Sequence, residues 1–179
     1  HTRAQAMTGD ILPFSNIIIS ATPPGMVMSA HIQYPSLDDT KIKDRNGKRQ
    51  IVPATLSKKI LTNLLRKQLG YKGLIVTDAL DMAGITQFFS HEEALVRAFS
   101  AGADLALMPF TIRNKTDINA FAKLLDNVAV KLADSALDTS SESAFLISSY
   151  NRIIDAKQRF TLDVFISKPK VWWLDEAND

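Results

Sequence analysis

The sequence predicts an α/β protein with parallel strands and surrounding helices. Short, nearly continuous apolar runs such as Leu74-Ile75-Val76 alternate with stretches whose apolar residues recur at helical spacing. A helical stretch separates each run from the next, which is the length that a parallel crossover needs. A small open sheet and a part of a (β/α) barrel both satisfy this pattern. A closed eight-stranded barrel takes about 250 residues, and the chain has 179.

The elements follow in order. Thr2 and Gln5 stand at capping-box spacing and open a helical stretch that breaks near Pro13. Pro23-Pro24-Gly25 turns the chain into a first strand, Met26–Ala30, which ends at His31. Residues 38–53 are the most polar stretch, and Asn46-Gly47 marks a hairpin tip there. Its cluster of Lys41, Lys43, Arg45, Lys48 and Arg49 is diluted by aspartates and lacks aromatic residues, so it reads as a solvated loop. Ser57 caps a helix to Leu69 with Ile60, Leu61, Leu64, Leu65 and Leu69 on one face, and Gly70 stops it.

Gly73–Thr77 is the second strand. Ser90 and Glu93 form a capping box for a helix ending at Gly102, and Ala103–Met108 is a third strand stopped by Pro109. Two further helices carry Ile118, Phe121, Leu125 and Val128, then Leu146, Tyr150, Ile153 and Ile154; Thr139 caps the second. Residues 1–165 form one α/β unit and 166–179, with Trp172-Trp173, form a tail.

Composition excludes several classes. Lys and Arg number 21 against 19 Asp and Glu, so no charge excess favours nucleic acid or an anionic membrane surface. The absence of cysteine removes disulfides, thiolate metal sites and cysteine nucleophiles. With only three histidines besides, a transition-metal centre is not expected. No apolar run approaches the roughly 20 residues of a membrane span. Phosphate-binding glycine loops and Gly-x-Ser-x-Gly elbows are missing, and no cofactor is expected.

Function in such architectures collects where strands end at their C-terminal side. Three positions qualify: His31, Asp78 and the Pro109-Phe110 turn. Asp78 directly follows an apolar strand, so its charge needs hydrogen bonds, a cation or a ligand; a cap on the next turn is the competing reading. Asp81 lies three residues on, where a helical turn would bring both carboxylates to one side, although a helix N-cap also explains it. Met82 reads equally as a core filler, His31 as a satisfied rim histidine, and His91 as a surface residue.

Four stretches together resemble glycoside hydrolase family 3, in its β-N-acetylhexosaminidase branch. They are Met26–Asp38, Pro53–Ser57 with its helix, Leu69–Met82, and Ala101–Pro109. The resemblance runs over about residues 10–160 in matching order. It implies a (β/α)8 barrel domain, Asp78 as catalytic nucleophile in Thr77-Asp78-Ala79-Leu80-Asp81-Met82, and His31, Met82 and Asp81 as substrate-binding residues, with an amino-sugar glycan as substrate. A retaining glycosidase of this kind forms a glycosyl-enzyme that water then hydrolyses.

The family's acid/base histidine and its Lys-His-Phe-Pro-Gly-His-type motif lie upstream of the stretch matched, and neither is found here; His1 stands too close to residues 10–14 to replace the former. The chain is therefore expected to be the C-terminal portion of the (β/α)8 TIM barrel, incomplete as a closed barrel and nearly inactive alone. Its apolar faces and strand edges are expected to drive self-association or pairing with a complementary N-terminal fragment. Cytoplasmic and exported locations both stay open. The alternatives are a non-catalytic α/β binding or interaction domain and, more remotely, a receiver domain with Asp78 as phosphoacceptor. The latter lacks an acidic pair after the first strand, and its lysine, Lys168, is too distant.

Overall fold

The computed structural model describes residues 2–138 and 140–160, with the side chains of 135–144 and 160 left aside. The Thr139 cap, His1, Lys168 and the Trp172-Trp173 tail lie outside the described residues.

Two short helices, α1 (Arg3–Thr8) and α2 (Leu12–Ile18), lead in. The Thr2–Gln5 capping box forms in both directions, and Pro13 sits in the first turn of α2, where its missing N–H costs nothing. Strand β1 (Met26–Met28) follows. A hairpin of β2 (Lys41–Lys43) and β3 (Arg49–Ile51) turns at Gly47, whose φ of 77° suits glycine. Asp44 fixes that tip by accepting the Asn46 and Lys48 amides at 2.8 and 2.9 Å. The five basic side chains of this region are exposed, in keeping with a solvated loop.

A tight turn, Ala54–Leu56, then enters the helix Lys59–Gln68. An ordinary α-helix is the sequence expectation here. The structure winds it wider, with π-type hydrogen bonds such as Leu69 N–H to Leu64 C=O at 2.9 Å. The apolar pairs Ile60/Leu65 and Leu64/Leu69 are five residues apart, and the wider turn stacks them on the buried side.

Strand β4 (Leu74–Val76) lies parallel to β1, with Val27 opposite Ile75. The third expected strand, Ala103–Met108, contracts to a single parallel bridge between Leu105 and Val76. Its ladder ends early because the Leu107 amide goes to the Thr77 hydroxyl at 3.0 Å, and Met108 then adopts a left-handed φ of 43°. The spatial order is β1, β4, then the 103–107 segment, which is an open parallel arrangement among the described residues.

Helices α3 (Ala83–Thr86), α4 (His91–Ala101), α5 (Lys115–Asp138) and α6 (Ser140–Phe160) complete the chain. Ser90 caps α4 through the Glu93 amide at 3.1 Å; Glu93 itself turns to Arg97, so the expected box is one-sided. Gly102 ends α4 in the left-handed region at φ 116°, and a Cβ there would stand 2.5 Å from Thr62 Oγ1. Ile75, Leu80, Ile85, Phe89 and Leu95 form the heart of the core.

Candidate active site at the end of β4

Asp78 leaves β4 with its backbone held from one side and its neighbour from the other. Its amide donates to Ser29 C=O beyond β1 at 3.1 Å, and the Thr77 amide donates to Leu105 C=O at 3.0 Å. One carboxylate oxygen, Oδ1, accepts the Ala79 amide at 2.8 Å. The other, Oδ2, has no partner among the described residues. Asp78 is half-buried, so the apolar strand delivers a carboxylate to the rim with one oxygen oriented and one available.

His31 reaches the same loop from the end of β1. Its Nε2 stands 2.9 Å from Ala79 C=O, and its Nδ1 stands 3.0 Å from Thr55 Oγ1. Thr55 is fully buried in the turn after Pro53 and meets Ser29 Oγ at 2.9 Å. That turn is wired to the first strand by Ala54 N–H to Ile32 C=O at 2.8 Å and Thr55 N–H to Ala30 C=O at 3.2 Å. Sequence reasoning names His31 but misses Thr55, Ser29 and the Ala79 carbonyl. Thr55 sits inside a quoted motif, yet nothing local in the sequence says that its hydroxyl faces a ring 24 residues away.

Asp81 and Met82 lie in the turn after Leu80. The helical turn that would align Asp78 with Asp81 does not form, because residues 78–82 are a loop and turn. Asp81 is not the N-cap either; Met82 occupies that position, with no side-chain cap bond. Asp81 is half-buried, and Met82 is 47% exposed and so not a core filler. Leu80 N–H donates to Leu107 C=O at 2.9 Å, which ties this turn to the segment after the third strand. His91 is more than a surface residue, since its ring meets Phe110 edge-on at 5.3 Å and Phe110 stacks on Phe121 at 5.7 Å.

Two buried aspartates away from Asp78 also escape the sequence reading. Asp104 faces Arg66 and Arg152 at the opposite end of the sheet, and Asp38 anchors the turn before the π-helix. Among the described residues no three His, Asp or Glu side chains group closely enough to hold a metal ion. No helix among them is long and apolar enough to cross a membrane.

Residues 1–143 match the model of the glycosyl hydrolase family 3 N-terminal domain. A β-hexosaminidase A of Pseudoalteromonas piscicida is 46% identical over 159 residues, covering 89% of this chain and 26% of that protein. A β-hexosaminidase of Chromobacterium violaceum is 35% identical over 107 residues, covering 60% of this chain and 26% of that protein. Among solved structures, a family 3 β-N-acetylglucosaminidase from Paenibacillus sp. str. FPU-7 superposes with a TM-score of 0.66 at 30% identity, over 89% of this chain and 26% of that one. The chain thus spans about a quarter of the length of these relatives.

The match corrects one expectation of the sequence analysis. The chain is not the C-terminal portion of the (β/α)8 barrel, because the matching region is the family's N-terminal domain. That expectation rested on two motifs not found, and missing motifs carry no positional information of their own. The chain belongs to glycosyl hydrolase family 3, through its N-terminal domain and with β-hexosaminidases among its relatives.

Proposed function

We propose that the chain supplies the nucleophile side of a retaining glycosidase that removes β-linked N-acetylhexosamine, with Asp78 as the attacking group. The observation that carries this is the state of the Asp78 carboxylate: Oδ1 is oriented by the Ala79 amide while Oδ2 is available at the strand end. In the reaction Oδ2 forms a bond to the anomeric carbon as the bond to the leaving oxygen breaks, and that oxygen departs with the electron pair. Water then attacks the same carbon, gives its proton to a base, and the carboxylate leaves. Met82 and Asp81 stand on the turn beside Asp78, an apolar and an acidic group for the sugar's face and hydroxyls. The names of the similar β-hexosaminidases and of the similar Paenibacillus β-N-acetylglucosaminidase support N-acetylhexosamine as the sugar.

An aryl leaving group that needs no proton separates the two halves of this chemistry. General acid–base help is worth roughly 10²–10⁴ in rate. The 179-residue chain with 2,4-dinitrophenyl N-acetyl-β-glucosaminide should release about one equivalent of phenolate per chain and then nearly stop. Asp78→Asn should release none. Steady turnover of an unactivated substrate by this chain would contradict its near-inactivity, and a burst that survives Asp78→Asn would contradict the role of Asp78.

A further inference from the structure

We propose that His31 serves as a positioning residue: with Thr55 and Ser29 it forms a hydrogen-bonded strut that fixes the Ala79 backbone and thereby orients the Asp78 carboxylate. This rests on the reading of Asp78 as nucleophile, and it replaces direct contact between the imidazole nitrogens and a sugar.

The bonding pattern dictates the direction of the strut. A carbonyl oxygen can only accept, so His31 Nε2, 2.9 Å from Ala79 C=O, carries the hydrogen. In the neutral ring Nδ1 is then an acceptor, and the Thr55 hydroxyl at 3.0 Å donates to it. Thr55 has spent its hydrogen, so the Ser29 hydroxyl at 2.9 Å donates to Thr55. Both ring nitrogens are therefore committed to protein. Ala79 is held at both of its flanking peptide groups, its C=O by His31 and its N–H by Asp78 Oδ1 at 2.8 Å.

The strut is backed on two sides. Thr55 is fully buried, and its own amide bonds to Ala30 C=O at 3.2 Å. On the other side Gly84 of α3 lies so near that a Cβ there would stand 3.3 Å from His31 Cβ. The ring itself is held by its two hydrogen bonds, at Nε2 to Ala79 C=O and at Nδ1 to Thr55 Oγ1. Three segments distant in sequence thus converge on the peptide next to the nucleophile, and a small shift of a reacting group is enough to slow a glycosyl transfer.

The test uses the 179-residue chain with His31→Ala, His31→Gln, Thr55→Val and Thr55→Ser. Glutamine can donate to Ala79 C=O through Nε2, and serine can keep the hydroxyl link. Ring nitrogen NMR should show the Nε2-protonated tautomer in the wild type. Hydrogen exchange at the Ala79 amide should quicken at least tenfold in His31→Ala and Thr55→Val and return toward wild type in His31→Gln and Thr55→Ser. The Thr77 and Leu105 amides, which serve the sheet, should stay protected throughout, as a general loss of structure would not allow. Labelling of Asp78 by 5-fluoro-N-acetylglucosaminyl fluoride should slow at least tenfold in the first pair and recover in the second. Ala79 exchange indifferent to His31→Ala, or an Nδ1-protonated ring, overturns the strut. A wild-type chain that keeps Ala79 protected but takes no label overturns the nucleophile reading instead.

Discussion

Asp38 shows how a single buried carboxylate acquires a pH signature. It is 4% exposed and accepts Ser57 Oγ–H at 2.5 Å, the Thr40 amide at 2.9 Å and Lys59 Nζ at 3.1 Å. Burial on its own pushes the carboxyl up, but the Ser57, Thr40 and Lys59 donors outweigh it and hold it down to about 2. The folded chain therefore binds this proton more weakly than the unfolded chain. The stability it contributes is fully present above about pH 4 and is lost as pH falls through about 2. Asp38→Asn should cost roughly 1–3 kcal/mol at neutral pH, and the gap between wild type and variant should close toward pH 2. Urea unfolding at pH 7, 4 and 2.5 checks this; a gap that is constant with pH would place the effect elsewhere.

Between elements, Asp104 ties four segments together. Its side chain is fully buried where the 103–107 segment begins. Oδ1 accepts from Ser149 at 2.7 Å and from Arg152 at 2.7 and 3.0 Å, and Oδ2 accepts from Arg66 and from the Ile75 amide at 2.8 Å. The carboxylate thereby joins the third strand segment, β4, the π-helix and α6. Asp104→Ala would leave two guanidinium groups facing each other without their anion and should cost roughly 3–5 kcal/mol. Limited proteolysis should then cut within α6 first. A thermal shift corresponding to under about 1 kcal/mol would show that the two arginines find other partners.

This level also shows what a sequence can disclose. The capping box at Thr2, the Gly47 tip and the Gly102 stop depend on residues within a few positions of one another, and all three form. The placement of Asp78 at a strand end is legible because an acid following an apolar strand is a local pattern. The third strand failed locally for a non-local reason: Thr77, 30 residues away, takes the Leu107 amide. The π-type winding, the Asp104 cluster and the Ser29-Thr55-His31 line likewise depend on partners brought together only by the fold.

For the whole molecule, two features decide behaviour in solution. Strand β1 is the edge of its sheet among the described residues. Beside it Phe14, Ile17, Met26, Met28 and Ile32 are exposed, and a mostly apolar cavity of about 220 Å³ runs between β1, α2 and the π-helix. An open edge next to such a surface favours association. The chain is expected to form a concentration-dependent dimer or larger species in analytical ultracentrifugation, and Met28→Lys should weaken it. A single monomeric boundary at all concentrations would contradict this expectation.

If Asp78 is the nucleophile, it becomes covalently attached to an amino sugar, and that bond can be trapped chemically. The chain is treated with 5-fluoro-N-acetylglucosaminyl fluoride, digested, and the peptides are read by tandem mass spectrometry. One sugar per chain is expected, joined as an ester to Asp78 and absent from Asp78→Asn. A sugar carried by another carboxylate, or an unmodified chain under conditions where a known family 3 β-N-acetylglucosaminidase is labelled, would contradict it.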